Sequence, residues 1–171
     1  MINLSKDTPL KDVMKLAHPC GCNACTIGCK LGSGILADED LAKIAHFLGK
    51  TKEETKKEFL EEVERFNTKR FRPKVLGKPY GQCIFFDGKE CKIHEVKPLE
   101  CEISMGCEEY GEQLSIWFML NHFVNKNDPE SIRQYDAYLR SGGKTLPGGT
   151  LADLVPNAEQ LKKILKFEIL R

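Results

Sequence analysis

The sequence predicts an α+β fold, mainly helical, in which a small β-hairpin and cysteine-bearing loops pack on several helices. Three observations carry this expectation. Apolar residues recur at helical spacing in most of the longer segments, Asp87-Gly88 separates two short extended pieces mid-chain, and eight cysteines gather in two groups. The 171 residues are 41% hydrophobic and 30% charged, a composition that supports a core without disulfide staples.

Taken in order, Thr8-Pro9 opens a first helix to about Ala17, with Leu10, Val13, Met14 and Ala17 on one stripe and Pro9 where no N–H is needed. Gly21 to Gly34 holds four glycines and no sustained period, so it reads as a loop. Asp38 is the expected N-cap of a helix with Leu41, Ile44, Ala45 and Leu48 as its apolar stripe and Gly49 as its stop. A third helix is expected from Lys52 to Phe66, capped by Thr51 with Glu54 three residues on, burying Phe59, Leu60, Val63 and Phe66. Beyond Pro73, Gln82–Phe86 and Glu90–His94 flank Asp87-Gly88 as a hairpin, which puts Cys83 and Cys91 on its two arms. A loop with Cys101 and Cys107 then leads to helices near Glu112–Asn125 and Pro129–Leu139, and a Lys-rich amphipathic helix follows Asn157. The expected organisation is a cysteine-cluster domain over residues 1–110 and a helical part over 111–171 packed on it as one compact unit.

Charge excludes some function classes. Lys plus Arg total 26 against 25 Asp plus Glu, so the net charge of +1 gives no bulk attraction for nucleic acid or an anionic membrane. The apolar run Ile116–Leu120 is far short of the roughly 20 residues a membrane span requires. The opening MINLSKDTPLKDVMK has no continuous apolar stretch of secretory type, and the expected location is cytoplasmic.

In a reducing compartment a dense cysteine pattern points to metal or catalysis rather than to disulfides. Cys20, Cys22, Cys25 and Cys29 fall within ten residues, and Cys83, Cys91, Cys101 and Cys107 within twenty-five. Thiolates are the soft ligands that select zinc, copper(I) and iron–sulfur clusters. The gaps from Cys22 to Cys29 approach those of ferredoxin runs, but only Gly21 separates Cys20 from Cys22 and Lys30, not Pro, follows Cys29. Zinc ribbons use two Cys-x₂-Cys knuckles, and here Cys22–Cys25 alone has that form. Eight thiols allow two four-cysteine sets, which favours a [4Fe–4S]-type iron–sulfur cluster over structural zinc.

The stretches CGCNACTIGC, LADEDLAKIAHFLGKTKEE and CIFFDGKECKIHEVKPLEC together make the chain resemble the YkgJ-like cysteine-cluster family of zinc- or iron-chelating domain proteins. The resemblance runs from about Cys20 to Cys107. It implies a metalloprotein, with Cys22, Cys25, Cys83, Cys91 and Cys101 on family cysteines and Cys20 and Cys29 matching with a shifted gap. In one relative such a domain is coupled to protein modification. This chain departs from the pattern in lacking an adjacent Cys pair, in carrying Lys97 where Arg is usual and in carrying His94 where Tyr is usual. Lysine cannot reproduce the planar two-pronged fork of arginine, whereas histidine would ligate a metal or donate to a cluster sulfur.

Other features have plainer readings. His18 is expected to meet a helix end, and His46 and His122 to lie at the core edge. Phe85, Phe86, Trp117, Phe118 and Phe123 read as packing between the hairpin and the C-terminal helices, with a shielding role for a cluster. Lys162, Lys163 and Lys166 read as a solvated face over Leu161, Ile164 and Leu165. Ser141-Gly-Gly-Lys144-Thr145 lacks the upstream glycine and strand of a phosphate loop. The expectation is therefore one or two iron–sulfur clusters held by the eight cysteines, serving electron transfer with an unidentified redox or protein partner or forming the metal-bearing part of a protein-modifying system. The alternative is a zinc-stabilised interaction module. Catalysis at an open metal site, with His94 and Glu95 or Glu100 as further ligands, is the remaining class.

Overall fold

Among the described residues, 3–17, 26–103 and 109–171, the computed structural model contains nine α-helices and one two-stranded antiparallel hairpin. The helices are α1 (Leu10–Leu16), α2 (Thr26–Leu31), α3 (Asp40–Leu48), α4 (Lys52–Phe59), α5 (Leu99–Ile103), α6 (Gly111–His122), α7 (Pro129–Arg140), α8 (Leu151–Leu154) and α9 (Ala158–Leu165). The strands are β1 (Leu60–Arg65) and β2 (Thr68–Pro73), and a 3-10 turn covers His94–Val96. The fold is α+β and mainly helical, as the sequence predicts. Two compact units divide it: Met1–Lys15, Glu64–Lys69 and Glu112–Arg171 form one, and Leu16–Val63 and Arg70–Gly111 the other.

In the first unit Val13, Leu114, Trp117, Phe118, Leu120, Ile132, Tyr135 and Ile164 are buried. The Trp117 indole N–H donates to the Thr8 carbonyl at 3.0 Å, and Phe66 meets the rings of Tyr135 and Tyr138 edge-on. Asp128 caps α7, with Pro129 at its first position as the sequence predicts. Arg133 donates to the carbonyls of Ile164 and Ile169, tying α7 to the end of α9 and the segment after it. His122 stacks on Phe118 at 4.4 Å.

The second unit is built on Leu36, Ile44, Leu60, Cys83, Phe85, Phe86 and Ile93, all buried, with Phe59 stacked on Phe85 at 5.3 Å. Four local expectations are corrected here. The helix from Lys52 stops at Phe59 rather than Phe66. Its Thr51 capping box forms as predicted, but Lys74 ends the helix by donating its backbone N–H to Phe59 O and its ammonium to the carbonyls of Lys57 and Glu58. The chain continues as β1 and turns at Phe66 and Asn67, whose φ angles of 49° and 54° are those of a tight two-residue hairpin turn. Leu60 and Phe66, assigned to a helical face, are equally compatible with a strand and its turn.

Second, Gly21–Gly34 is not all loop, because Thr26–Leu31 is helical. Its glycines lower helix propensity, but backbone bonds from Cys83 N–H to Cys29 O at 2.8 Å and from Gly32 N–H to Gly28 O at 2.9 Å offset this. Third, the Asp87-Gly88 turn forms, with Gly88 at φ 97° and Asp87 accepting from the N–H groups of Lys89 and Glu90, but its arms are not strands. They share one bridge, Phe86 with Cys91, while Cys83 bridges to Val75 instead. Fourth, Cys101 lies on a short helix, α5, rather than in a loop. Among the described residues no helix is long and apolar enough to cross a membrane.

Candidate metal centre

Three segments of the second unit bring Cys83, Cys91 and Cys101 into electrostatic range of Cys29, and Cys83 into range of Cys91 and Cys101. Cys29 comes from α2, and its carbonyl is bonded by the Cys83 N–H. Cys83 is buried among Phe85, Phe86 and Ile93, and its own carbonyl accepts from the Phe86 N–H at 3.0 Å. Cys91 sits across the bridge from Phe86, and its carbonyl accepts from the His94 N–H at the start of the 3-10 turn. Cys101 is the third residue of α5. All four are free thiols.

Burial pushes every one of these thiols up. For Cys29 burial outweighs the Lys97 ammonium, which acts to lower it. Cys83 is pushed up to about 11, by burial first and then by Cys91 and Cys29 against backbone hydrogen bonds from Phe85 and Phe86. Cys91 is raised by burial and by Cys29, against the Ile93 N–H and Lys97. At Cys101 burial of the sulfur dominates although the residue as a whole is half-buried, and Glu100, Cys83 and Cys29 add to it against a hydrogen bond from the Gly34 N–H. Cys29 is thus the common neighbour of the other three. Four desolvated sulfurs with mutually repelling anionic forms suit a soft cation, which would replace the lost hydration and cancel the repulsion. Among the described residues, however, no three His, Cys, Asp or Glu side chains are close enough together to form a cage for an ion.

The segment from Ser33 to Asp40 positions α5. The carboxylate of buried Asp40 accepts from the Ala37 N–H at 2.7 Å and from the Leu99 N–H at 2.9 Å, tying the start of α3 to the start of α5. The Glu100 carboxylate accepts from the Ile35 N–H. Burial raises the Asp40 pKa despite these bonds, which act to lower it. Asp38, the expected N-cap, is exposed and pairs with Arg70 instead, and Glu39 at the cap makes no side-chain bond. The buried carboxylate two positions further on, Asp40, bonds instead to the Ala37 N–H ahead of α3 and to the Leu99 N–H at the start of α5. Its signal in the sequence was the third acid of LADED.

Cys20, Cys22, Cys25, Cys107 and His18 lie outside the described residues. His94 and Glu95 are exposed on the 3-10 turn, and Glu100 is engaged with Ile35, so none of these is poised as a ligand beside the thiols. His46, expected at the core edge, is exposed on the outer side of α3. Lys144 of the Ser141–Thr145 stretch pairs with Glu112 at 2.7 Å. Sequence reasoning missed Gly34, Asp40 and Glu100 as positioning residues, because their partners lie about 60 residues away in the chain.

A small, mainly helical fold that brings buried and half-buried thiols together from three segments defines a cysteine-cluster protein. The chain belongs to the CxxCxxCC family, described as "Putative zinc- or iron-chelating domain", which matches residues 21–131. The match takes in every cysteine but Cys20 and extends through α6, beyond the Cys20–Cys107 stretch that carried the sequence resemblance. No curated protein and no solved structure matches the chain.

Proposed function

We propose that this protein carries a cysteine-ligated [4Fe–4S] cluster and serves in electron transfer with a redox partner in a reducing compartment. The observation that supports this reading most directly is the set of four desolvated thiols around Cys29, walled on one side by Phe85, Phe86 and Ile93. Cys29, Cys83, Cys91 and Cys101 together with Cys20, Cys22, Cys25 and Cys107 are the candidate donors, four thiolates to a cluster and enough for one or two clusters. When bound, a cluster of this kind accepts and releases single electrons at a potential set by burial and by hydrogen bonds to its sulfurs. The chain's own contributions are of that kind. The aromatic wall keeps water from Cys83, the Gly34 N–H is directed at the Cys101 sulfur, and the Lys97 ammonium offsets negative charge at Cys29 and Cys91.

Iron–sulfur is favoured over zinc because the chain holds eight thiols where one tetrahedral zinc needs four, and because the wall at Cys83 is apolar. Metal and acid-labile sulfide analysis with a visible spectrum, on protein purified without oxygen, tests this. Iron and sulfide in equal amounts with broad thiolate–iron absorption is the expected result. Colourless protein with zinc and no sulfide would overturn it and leave a zinc-stabilised interaction module.

A further inference from the structure

Gly34 lies against Cys101 so closely that a side chain has no place there. A Cβ built on Gly34 would stand 2.3 Å from the Cys101 sulfur, 3.0 Å from the Cys101 backbone nitrogen and 3.4 Å from its Cβ. The neighbouring Gly32 has nothing within 4 Å of the same built atom. The approach is held from both directions. Ser33 donates its hydroxyl to the Pro73 carbonyl, the Ile35 N–H donates to the Glu100 carboxylate, and Asp40 bonds the Leu99 N–H. The strand of backbone at 33–35 and helix α5 are therefore fixed on either side of one sulfur.

We infer that Gly34 is a positioning residue for the metal centre: its missing side chain sets the place of the Cys101 sulfur, which no other residue at position 34 would allow. The inference rests on the reading of Cys101 as a metal donor. Close approach of backbone is a recognised use of glycine, and partners that orient a ligand govern metal affinity nearly as strongly as the ligand itself. An alanine methyl at 34 meets the sulfur first. The sulfur is the movable atom of the three, so the accommodation is a rotation of the Cys101 side chain away from its present place. That rotation removes one donor while leaving α5 tethered by Asp40 and Glu100.

The test is a double-variant cycle on the full chain, using Co(II) as the probe ion. Thiolate-to-cobalt charge-transfer absorption reports metal binding, and denaturant unfolding of the metal-free protein reports stability. Gly34→Ala is expected to weaken Co(II) binding by about 10- to 100-fold, the range seen when partners of metal ligands are lost. Gly32→Ala is expected to leave binding unchanged. In a Cys101→Ala background, where the clashing sulfur is gone, Gly34→Ala is expected to have little further effect on either readout. Wild-type-like Co(II) binding by Gly34→Ala overturns the inference. Equal losses in the presence and absence of the Cys101 sulfur overturn it too, because Gly34 would then act through something else. If Gly34→Ala alone fails to fold, recovery of folding in the double variant supports the inference and continued failure to fold overturns it. A wild-type chain that binds no Co(II) through thiolates removes the metal reading itself, and this inference with it.

Discussion

Cys83 shows how one side chain serves two physical roles. It is a small apolar body in a core with Phe85, Phe86 and Ile93 and at the same time a sulfur facing Cys29 and Cys91. Cys83→Ser is expected to destabilise the metal-free protein by about 1–3 kcal/mol, the cost of burying a hydroxyl without a partner. Denaturant unfolding in the presence of a chelator measures this apart from any loss of metal, and an unchanged midpoint would count against the packing role. Asp40 is a second residue whose worth lies in its partners. Asp40→Ala strands the Ala37 and Leu99 N–H groups, and a loss of about 1–3 kcal/mol is expected by the same measurement.

Glu61 supplies a pH dependence with a definite sign. Burial acts to raise its pKa, but Lys78 and Arg72, both at 2.8 Å, outweigh it and hold the carboxyl below its ordinary 4.5. A depressed carboxylate pKa adds stability that is fully present above the unfolded value and is lost as pH falls through the folded one. Glu61→Gln is therefore expected to cost about 0.5–1 kcal/mol at pH 7, a figure kept small because the group is partly exposed. As pH falls below 4.5 and through the lowered pKa of Glu61, the stabilities of the two proteins should converge. A constant difference across that range would show that the ion pairs are not its source.

At the scale of elements, the hairpin β1–β2 and helix α4 form a single decision. The apolar positions Phe59, Leu60, Val63 and Phe66 fit a helix of period 3.6, and the local signal alone carries the helix through to Phe66. Lys74 decides otherwise by taking the last carbonyls of α4, and the Phe66–Asn67 turn closes the strands. Asn67 is suited to that turn because it tolerates a left-handed backbone, while a β-branched residue does not. Asn67→Val is expected to destabilise by about 1–2 kcal/mol more than Asn67→Gly. Both variants lose the side-chain bond to Asp128, so thermal unfolding of the pair isolates the backbone effect. By contrast the Thr51 capping box, the Gly49 stop with φ 66° and the start of α7 at Pro129 formed as expected, since each depends on residues no more than four apart.

At the scale of the whole molecule, the described thiols all lie in the second unit, and the first unit has its own core of Trp117, Phe118, Ile132 and Tyr135. Removal of metal by a chelator is expected to raise amide exchange in residues 29–36 and 83–103, whose backbone carries Cys29, Cys83, Cys91 and Cys101, and to leave the protection of α7 and α9 unchanged. Hydrogen exchange read by mass spectrometry checks this, and equal loosening of α7 would show that the metal supports the whole fold instead.

From the sequence alone come the mainly helical α+β class, the Thr51 capping box, the Gly49 stop and the family, because these rest on spacings of a few residues and on the number and grouping of cysteines. Only the tertiary structure decided that Leu60 begins a strand, that Cys83 pairs with Val75 rather than across the Asp87-Gly88 turn, and that Gly34 and Asp40 position Cys101. Each of these depends on a partner from another segment, a carbonyl, an N–H or a sulfur, whose arrival cannot be read from local periodicity.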